Sequence, residues 1–258
     1  MNNQNKIEKS INLLMNICIM MMRSGANTKR VIDNINRFAK VLDFESHALI
    51  SHKSIIMTLK DLKTKETYTV VNQIPGYTID FTIVSDISRA SWKALDNNWS
   101  YEKINNRLNE IKNKKKYPLW IILLTVSLAG AGFANIFGGD LLNMGVTFIA
   151  TLVGLSVSKF LHHKAFNPYI RTYISSVIAS FVATLGIIFN IGSDPHIALA
   201  TSVLFLVPGV PLINSFNDLY NNHILNGIVR FVSGFILVLA IGLGLITIML
   251  IFNINALN

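Results

Sequence analysis

Charge is what the second half of this sequence lacks. The 258 residues hold 23 Lys and Arg and 14 Asp and Glu. Beyond residue 116 only Lys159, Lys164, Arg171 and Arg230 are basic, and only Asp140, Asp194 and Asp218 are acidic. An ordinary soluble domain is about 25% charged, so residues 117–258 do not read as one. Cysteine is nearly missing too. The single Cys18 excludes an internal disulfide framework and suits a reducing cytosol. Proline is scarce, at six residues, yet two of the six stand three apart at 208 and 211. No secretory signal is expected at the amino terminus, because the apolar run Ile11–Met22 is short, contains Asn12 and Asn16, and lacks a small-residue cleavage site after it. The pI near 9.7 comes without a stacking-aromatic and Arg cluster, so no nucleic-acid partner is expected.

The charge that is present sits early. Residues 1–116 carry 19 Lys and Arg against 11 Asp and Glu. Apolar residues recur there at helical spacing through Ile7, Ile11, Leu14, Cys18 and Met21. Ser24-Gly25-Ala26-Asn27 breaks that helix, with Gly25 available for a left-handed cap and Asn27 as N-cap of a second helix through Val31, Ile35, Phe38 and Leu42. His47–Ser51, Ser54–Asp61 and Glu66–Ile74 are rich in β-branched and aromatic residues and read as three strands. Helices lined by Phe81, Val84, Ile87 and Leu95, and by Ile104, Leu108 and Ile111 behind Ser100, complete an α+β domain over 1–116. Its cations beside apolar runs suit attraction to an anionic lipid bilayer better than to nucleic acid.

Residues 117–258 form the expected transmembrane domain. Uncharged runs at 119–137, 141–158, 172–191, 197–213 and 231–252 are near the roughly 20 residues that cross hydrocarbon. The fold expected is an α-helical polytopic membrane protein of about five transmembrane helices with an amino-terminal α+β cytoplasmic domain. Five spans place every basic residue outside the first domain on one side, which puts the amino terminus in the cytoplasm and the carboxyl terminus outside. The stripes Gly130, Ala134, Gly138 and Ala150, Gly154, Ser158 predict a close antiparallel hairpin of the first two spans. The fourth run is interrupted by Pro208-Gly209-Val210-Pro211, where each proline removes a donor and its ring clashes with the preceding turn. Such a break needs shielding from lipid, and broken helices are where many transporters hold substrate.

No enzyme motif appears. Ser51, His47, His52, Ser54 and Asp61 cluster in the strand region without a nucleophile-elbow pattern, and the adjacent His162 and His163 diverge on a helix instead of chelating a metal. No catalytic residue, metal or cofactor is expected. The spans instead hold neutral polar groups, among them Asn135, Asn143, Thr147, Thr151, Ser175, Ser176, Ser180, Thr184, Thr201 and Ser202. Asn214 and Asp218 stand one helical turn apart just beyond the break.

Three segments also carry a resemblance: Ser24-Gly25-Ala26 followed by Arg30-Val31, Phe133-Ala134-Asn135-Ile136-Phe137-Gly138-Gly139-Asp140, and Pro208-Gly209-Val210-Pro211-Leu212-Ile213-Asn214 with Asp218-Leu219. In this order they resemble the threonine/serine exporter family, from about residue 10 to 250. Fused members of that family have about ten spans, so the chain is similar to the first half of its split form, and an opposed second half would make an inverted repeat. The resemblance implies proton-motive-force-driven export of threonine and serine, or in some split members of succinate or a related dicarboxylate. It also implies a second membrane subunit in a bacterial inner membrane, and allows a homo-oligomer. Asn27 departs from the Ser or Thr common in the family.

The expected substrate pathway is Pro208, Gly209, Pro211, Asn214, Asp218, Asn135, Asp140, Arg171 and Arg230, with Ser24, Gly25, Ala26 and Arg30 as the motif of the first domain. A membrane-anchored sensor or scaffold, working through its cytoplasmic domain, is the alternative reading.

Overall fold

The computed structural model describes residues 3–76 and 78–254. Contacts divide the chain into two units: residues 1–115 with 210–232, and residues 116–209 with 233–258. The segment 210–232, grouped with the membrane region on hydropathy, packs with the first unit.

In the first unit, α1 (Asn3–Arg23) and α2 (Thr28–Val41) precede the strands β1 (Phe44–Ile50), β2 (Ser54–Asp61) and β3 (Thr67–Gln73). Then come α3 (Phe81–Asp96) and α4 (Tyr101–Lys112). The strands pair antiparallel in the order β1-β2-β3. Alternation puts Phe44, Ile55, Met57 and Leu59 inward against Ile11, Leu14, Met21 and Ile35. The opposite sheet face carries the cross-strand rows Glu45–Lys60–Thr67, His47–Thr58–Thr69 and Leu49–Ile56–Val71. Asn27 caps α2 by accepting from the Arg30 amide, and Ser100 caps α4 by accepting from the Lys103 amide, both as expected. Cys18 is fully buried in this core, and burial pushes its thiol up to about 12, so it is an inert apolar filler.

Asp86 ties α3 to the end of α4. Its carboxylate accepts from Lys114 Nζ at 2.9 Å and from Arg89 Nη2 at 2.6 Å. The Lys114 hydrogen bond first, then Arg89, hold its carboxyl below the usual carboxylate value against the opposing effect of burial.

The second unit is helical: α5 (Leu119–Ile136), α6 (Leu141–His163), α7 (Pro168–Ile188) and α8 (Pro195–Thr201), then a 3-10 turn at Leu204–Leu206. Two further helices, α9 (Gly209–Tyr220) and α10 (Ile224–Ile251), complete the chain. Among the described residues four helices, α5, α6, α7 and α10, are long and apolar enough to cross a membrane; a fifth crossing counts only if the bent pair 195–206 and 209–220 is one span. Three of them outrun the hydropathy limits: α6 continues to His163, α7 begins at Pro168, and α10 begins at Ile224. Charge ends an apolar run without ending a helix, since Lys159, Arg171 and Arg230 all sit on helical backbone.

Two expectations are corrected. Pro211 does not break a helix; it lies in the first turn of α9, where no backbone donor is needed. The interruption falls earlier, between Thr201 and Gly209, with Val207 held extended (φ −58°, ψ 123°) by the proline that follows it. The second small-residue stripe also faces elsewhere. A Cβ on Gly130 would meet Thr151 Oγ1 of α6 at 2.6 Å, as a hairpin requires, whereas one on Gly154 would meet Ala179 Cβ of α7 at 2.8 Å. Ala150 likewise packs with Ala183 and Leu199, so the Ala150–Gly154 face seats α7 and α8.

Two outcomes follow. Gly154→Leu should lower the thermal unfolding midpoint of the purified chain by several degrees, and Gly132→Leu, where a Cβ meets open space, should not; equal effects would contradict the packing. Because the Asp86 carboxyl is depressed in the fold, its contribution is present above the unfolded carboxylate value and lost as pH falls through the folded one. Between about pH 6 and about pH 3 the wild type should therefore lose more stability than Asp86→Asn, as read by unfolding at each pH.

Candidate functional site

The turn after α1 is built by its glycine. Gly25 has φ +91°, the left-handed region that a side chain strains. The Gly25 amide donates to Met22 O and the Ala26 amide to Met21 O, a Schellman ending. The carbonyls of Gly25 and Ala26 are left to accept from elsewhere, and they accept from α9 and α10.

Asn214 Nδ2 donates to Gly25 O at 2.7 Å, and Arg230 Nη2 donates to Ala26 O at 3.0 Å. Asp218, with no exposed surface, accepts from the Thr28 amide at 2.9 Å on Oδ1 and from Thr28 Oγ1 at 3.1 Å on Oδ2. Its carboxylate thus caps the N-terminus of α2 from a distant segment, where the helix dipole favours negative charge. Arg230 Nη1 lies 3.2 Å from Asp218 Oδ2 with both side chains buried. That approach is an ion pair by distance without hydrogen-bond alignment. Asn226 Nδ2 closes the cluster, donating to Thr28 Oγ1 at 3.0 Å and to Ile50 O at 2.8 Å.

A tight helical hairpin aligns these groups. A Cβ on Gly227 would meet Leu219 Cγ at 2.6 Å and Ser215 O at 3.0 Å, so only glycine lets α10 approach α9 this closely. Asn222 turns the chain with φ +62°, and Phe216 meets Phe231 edge-on at 6.2 Å. Asn214 and Asp218 then share one face of α9, and Asn226 and Arg230 one face of α10.

Of the residues singled out in the sequence, Asn214, Asp218, Arg230, Ser24, Gly25 and Ala26 gather in or beside this cluster. Pro208, Gly209 and Pro211 lead into α9, where the Gly209 amide donates to Val207 O at 2.9 Å. Arg30 is exposed, donating from Nε to Ser88 Oγ at 3.1 Å. Asn135 is exposed at the end of α5. Asp140 caps α6 by accepting from the Asn143 amide and also accepts from the Ser193 amide, both at 2.8 Å, which staples two turns of the second unit. Arg171 lies by the other end of α6, 2.6 Å from His162 Nδ1, so it and Asp140 do not meet. Thr28 and Asn226 were missed. Thr28 follows a recognised N-cap, and Asn226 is spaced one turn from Arg230, which is the signal that would have found it.

The second unit holds a different polar set. Ser127, Asn143, Thr151, Ser175, Ser180 and Thr184 are buried, and at least one side-chain polar atom of each has no hydrogen-bond partner among the described residues. Thr147 and Thr201 pair with each other at 3.1 Å, and Ser176 Oγ donates to Ile241 O at 2.8 Å. In the strand region Asp61 caps its own turn through the Lys63 and Thr64 amides, seven residues or about 23 Å along β2 from Ser54.

Helices long and apolar enough to cross a membrane, with polar side chains buried between them, are the features of a polytopic membrane protein. The chain belongs to the family described as "Putative threonine/serine exporter", whose profile matches residues 12–253. It is 29% identical over 240 residues to a Klebsiella aerogenes protein named "Probable succinate transporter subunit YjjP", aligning 91% of this chain with 90% of that one. The Escherichia coli protein of the same name is 26% identical over 230 residues, 88% and 89% of the two chains. A Mycobacterium tuberculosis "Probable threonine/serine exporter" is 18% identical over 240 residues, covering 92% of this chain and 45% of that protein. No solved structure matches the chain.

Removing Asp218 strands a buried guanidinium and an amide donor. Asp218→Ala should cost about 3–5 kcal/mol and Thr28→Val about 1–3 kcal/mol in denaturant unfolding of the purified chain. The Asp218→Ala, Arg230→Ala double variant should lose less than the sum of the two single losses. Strict additivity would mean the pair is not coupled.

Proposed function

We propose that this chain is one subunit of a secondary exporter for a small polar metabolite, threonine or serine, or a dicarboxylate such as succinate. It works with a second membrane protein in a bacterial inner membrane. The observation that carries the reading is the set of buried polar side chains on α5, α6 and α7 that lack a partner among the described residues. Each buried polar group left unpaired costs about 1–3 kcal/mol, and lipid offers none of them a partner. Water or a hydroxyl- or carboxylate-bearing solute moving past Thr151, Ser175, Ser180 and Thr184 supplies the missing bonds in turn. Weak, neutral contacts of this kind bind a polar solute without trapping it.

The interrupted fourth run supports the same reading, since broken helices are where many transporters hold substrate. Relatives named as a transporter subunit support a two-protein assembly, and the exporter of about twice this length supports an arrangement of paired halves. The excess of Lys and Arg in residues 1–116 supports a cytoplasmic amino terminus, and five crossings would leave the carboxyl terminus outside.

The test is flux. Vesicles containing the chain and its partner should move labelled threonine, serine or succinate down an imposed gradient. A Ser180→Ala, Thr184→Val variant that still inserts should do so several-fold more slowly. Absence of flux for every small amino acid and dicarboxylate tested would overturn the proposal.

A further inference from the structure

On the outer side of α2, across the helix from Thr28, lies an open cleft of about 330 Å³ lined by Asn27, Lys29, Arg30, Asp33, Arg37, Trp92 and Asn221. That is the lower end of the range for small-molecule pockets. Arg30 and Arg37 are seven residues apart, so they share one face of α2 about 10 Å apart along its axis. Both are fixed in place by neutral groups. Arg30 Nε donates to Ser88 Oγ, and Arg37 Nη1 donates to Ser91 Oγ at 3.2 Å. Ser91 donates in turn to Asn34 Oδ1 at 2.7 Å, and the Arg37 guanidinium stacks 3.9 Å from the Trp92 ring centre. Neither arginine has a carboxylate partner among the described residues, whereas Lys29 has Asp33 at 3.8 Å. Each guanidinium therefore keeps most of its five N–H donors for something else.

We propose that this pocket binds a small dicarboxylate, one carboxylate on each arginine. Two planar forks at separate points match two planar carboxylates on a short chain; a single phosphate reaches one of them at a time. A zwitterionic amino acid finds no spare acid for its ammonium group, because Asp33 already faces Lys29. The site also touches the segment that follows α9 through Asn221, and its Asn27 and Lys29 flank Thr28, which holds Asp218 on the inner side of the same turn. The proposal deepens the transport reading in sharing a ligand class with it, but binding here does not depend on flux.

The full-length chain purified in detergent is titrated with succinate, acetate, inorganic phosphate and threonine, by calorimetry and by tryptophan fluorescence. Succinate should saturate, and the other three should bind about ten-fold more weakly or not at all. Arg30→Gln with Arg37→Gln should weaken succinate about ten-fold or more at unchanged helical content, and Arg30→Lys, which keeps charge but loses the fork, should fall between. Trp92→Phe should retain calorimetric binding while losing the fluorescence change. No saturable succinate binding, binding unchanged in the double variant, or an equal response to phosphate would overturn the proposal. Flux in vesicles with no succinate binding would sink the pocket alone; binding without flux would sink the transport reading alone.

Discussion

Asp218 is a carboxylate with no exposed surface, and the arrangement of the first unit depends on how its charge is met. An isolated ion in that position is strongly unfavourable, so three partners converge on it: the first amide of α2, the Thr28 hydroxyl and the Arg230 guanidinium. Two of those partners lie on Thr28, 190 residues before Asp218, and the third on α10, the other arm of the hairpin. Satisfying one charge thereby fixes the α1–α2 turn, the hairpin and the β1–β2 end, where Asn226 reaches Ile50 O. Buried pairs of this kind add little net stability over apolar packing, but they select one register among many, and here that register joins residues 210–232 to residues 1–115.

The two units meet polarity in opposite ways. In the first, every charge and amide of the cluster finds a specified acceptor or donor, and the backbone carbonyls released by the Gly25 turn are taken up by Asn214 and Arg230. In the second, hydroxyls are buried among apolar neighbours, several with no partner among the described residues. Specified pairs make a rigid clamp, and unspecified ones make a surface that exchanges partners cheaply.

Much of this was legible in the sequence. Helical spacing located α1 to α4, β-branched runs located the three strands, and the caps Asn27 and Ser100 were read correctly because each acts within three residues of itself. Hydropathy found the apolar centres of α5, α6, α7 and α10 but misjudged their ends, since it responds to Arg230 or Lys159 as a stop while the backbone does not. Pro211 misled for a related reason: a proline breaks a helix or begins one depending on which residue precedes it, and only Pro208 was positioned to break. The facing of Gly154 toward α7 was invisible because a small-residue stripe says that something approaches, not what. The pairing of Thr28 with Asp218 lay beyond any local pattern. Asn214 and Asp218 announced a shared face by their spacing, but nothing in either neighbourhood named the turn that face would meet.

The claim on which the account rests is that Asp218 holds the first turn of α2 from across the chain. Hydrogen–deuterium exchange across residues 24–31 of the full-length protein tests it directly, comparing wild type with Asp218→Leu, which keeps the branched outline and removes the acceptor. The account predicts that the Thr28 amide and its neighbours, protected in the wild type, exchange at least ten-fold faster in the variant while β2 and α4 stay protected. Unchanged protection across 24–31 would contradict it.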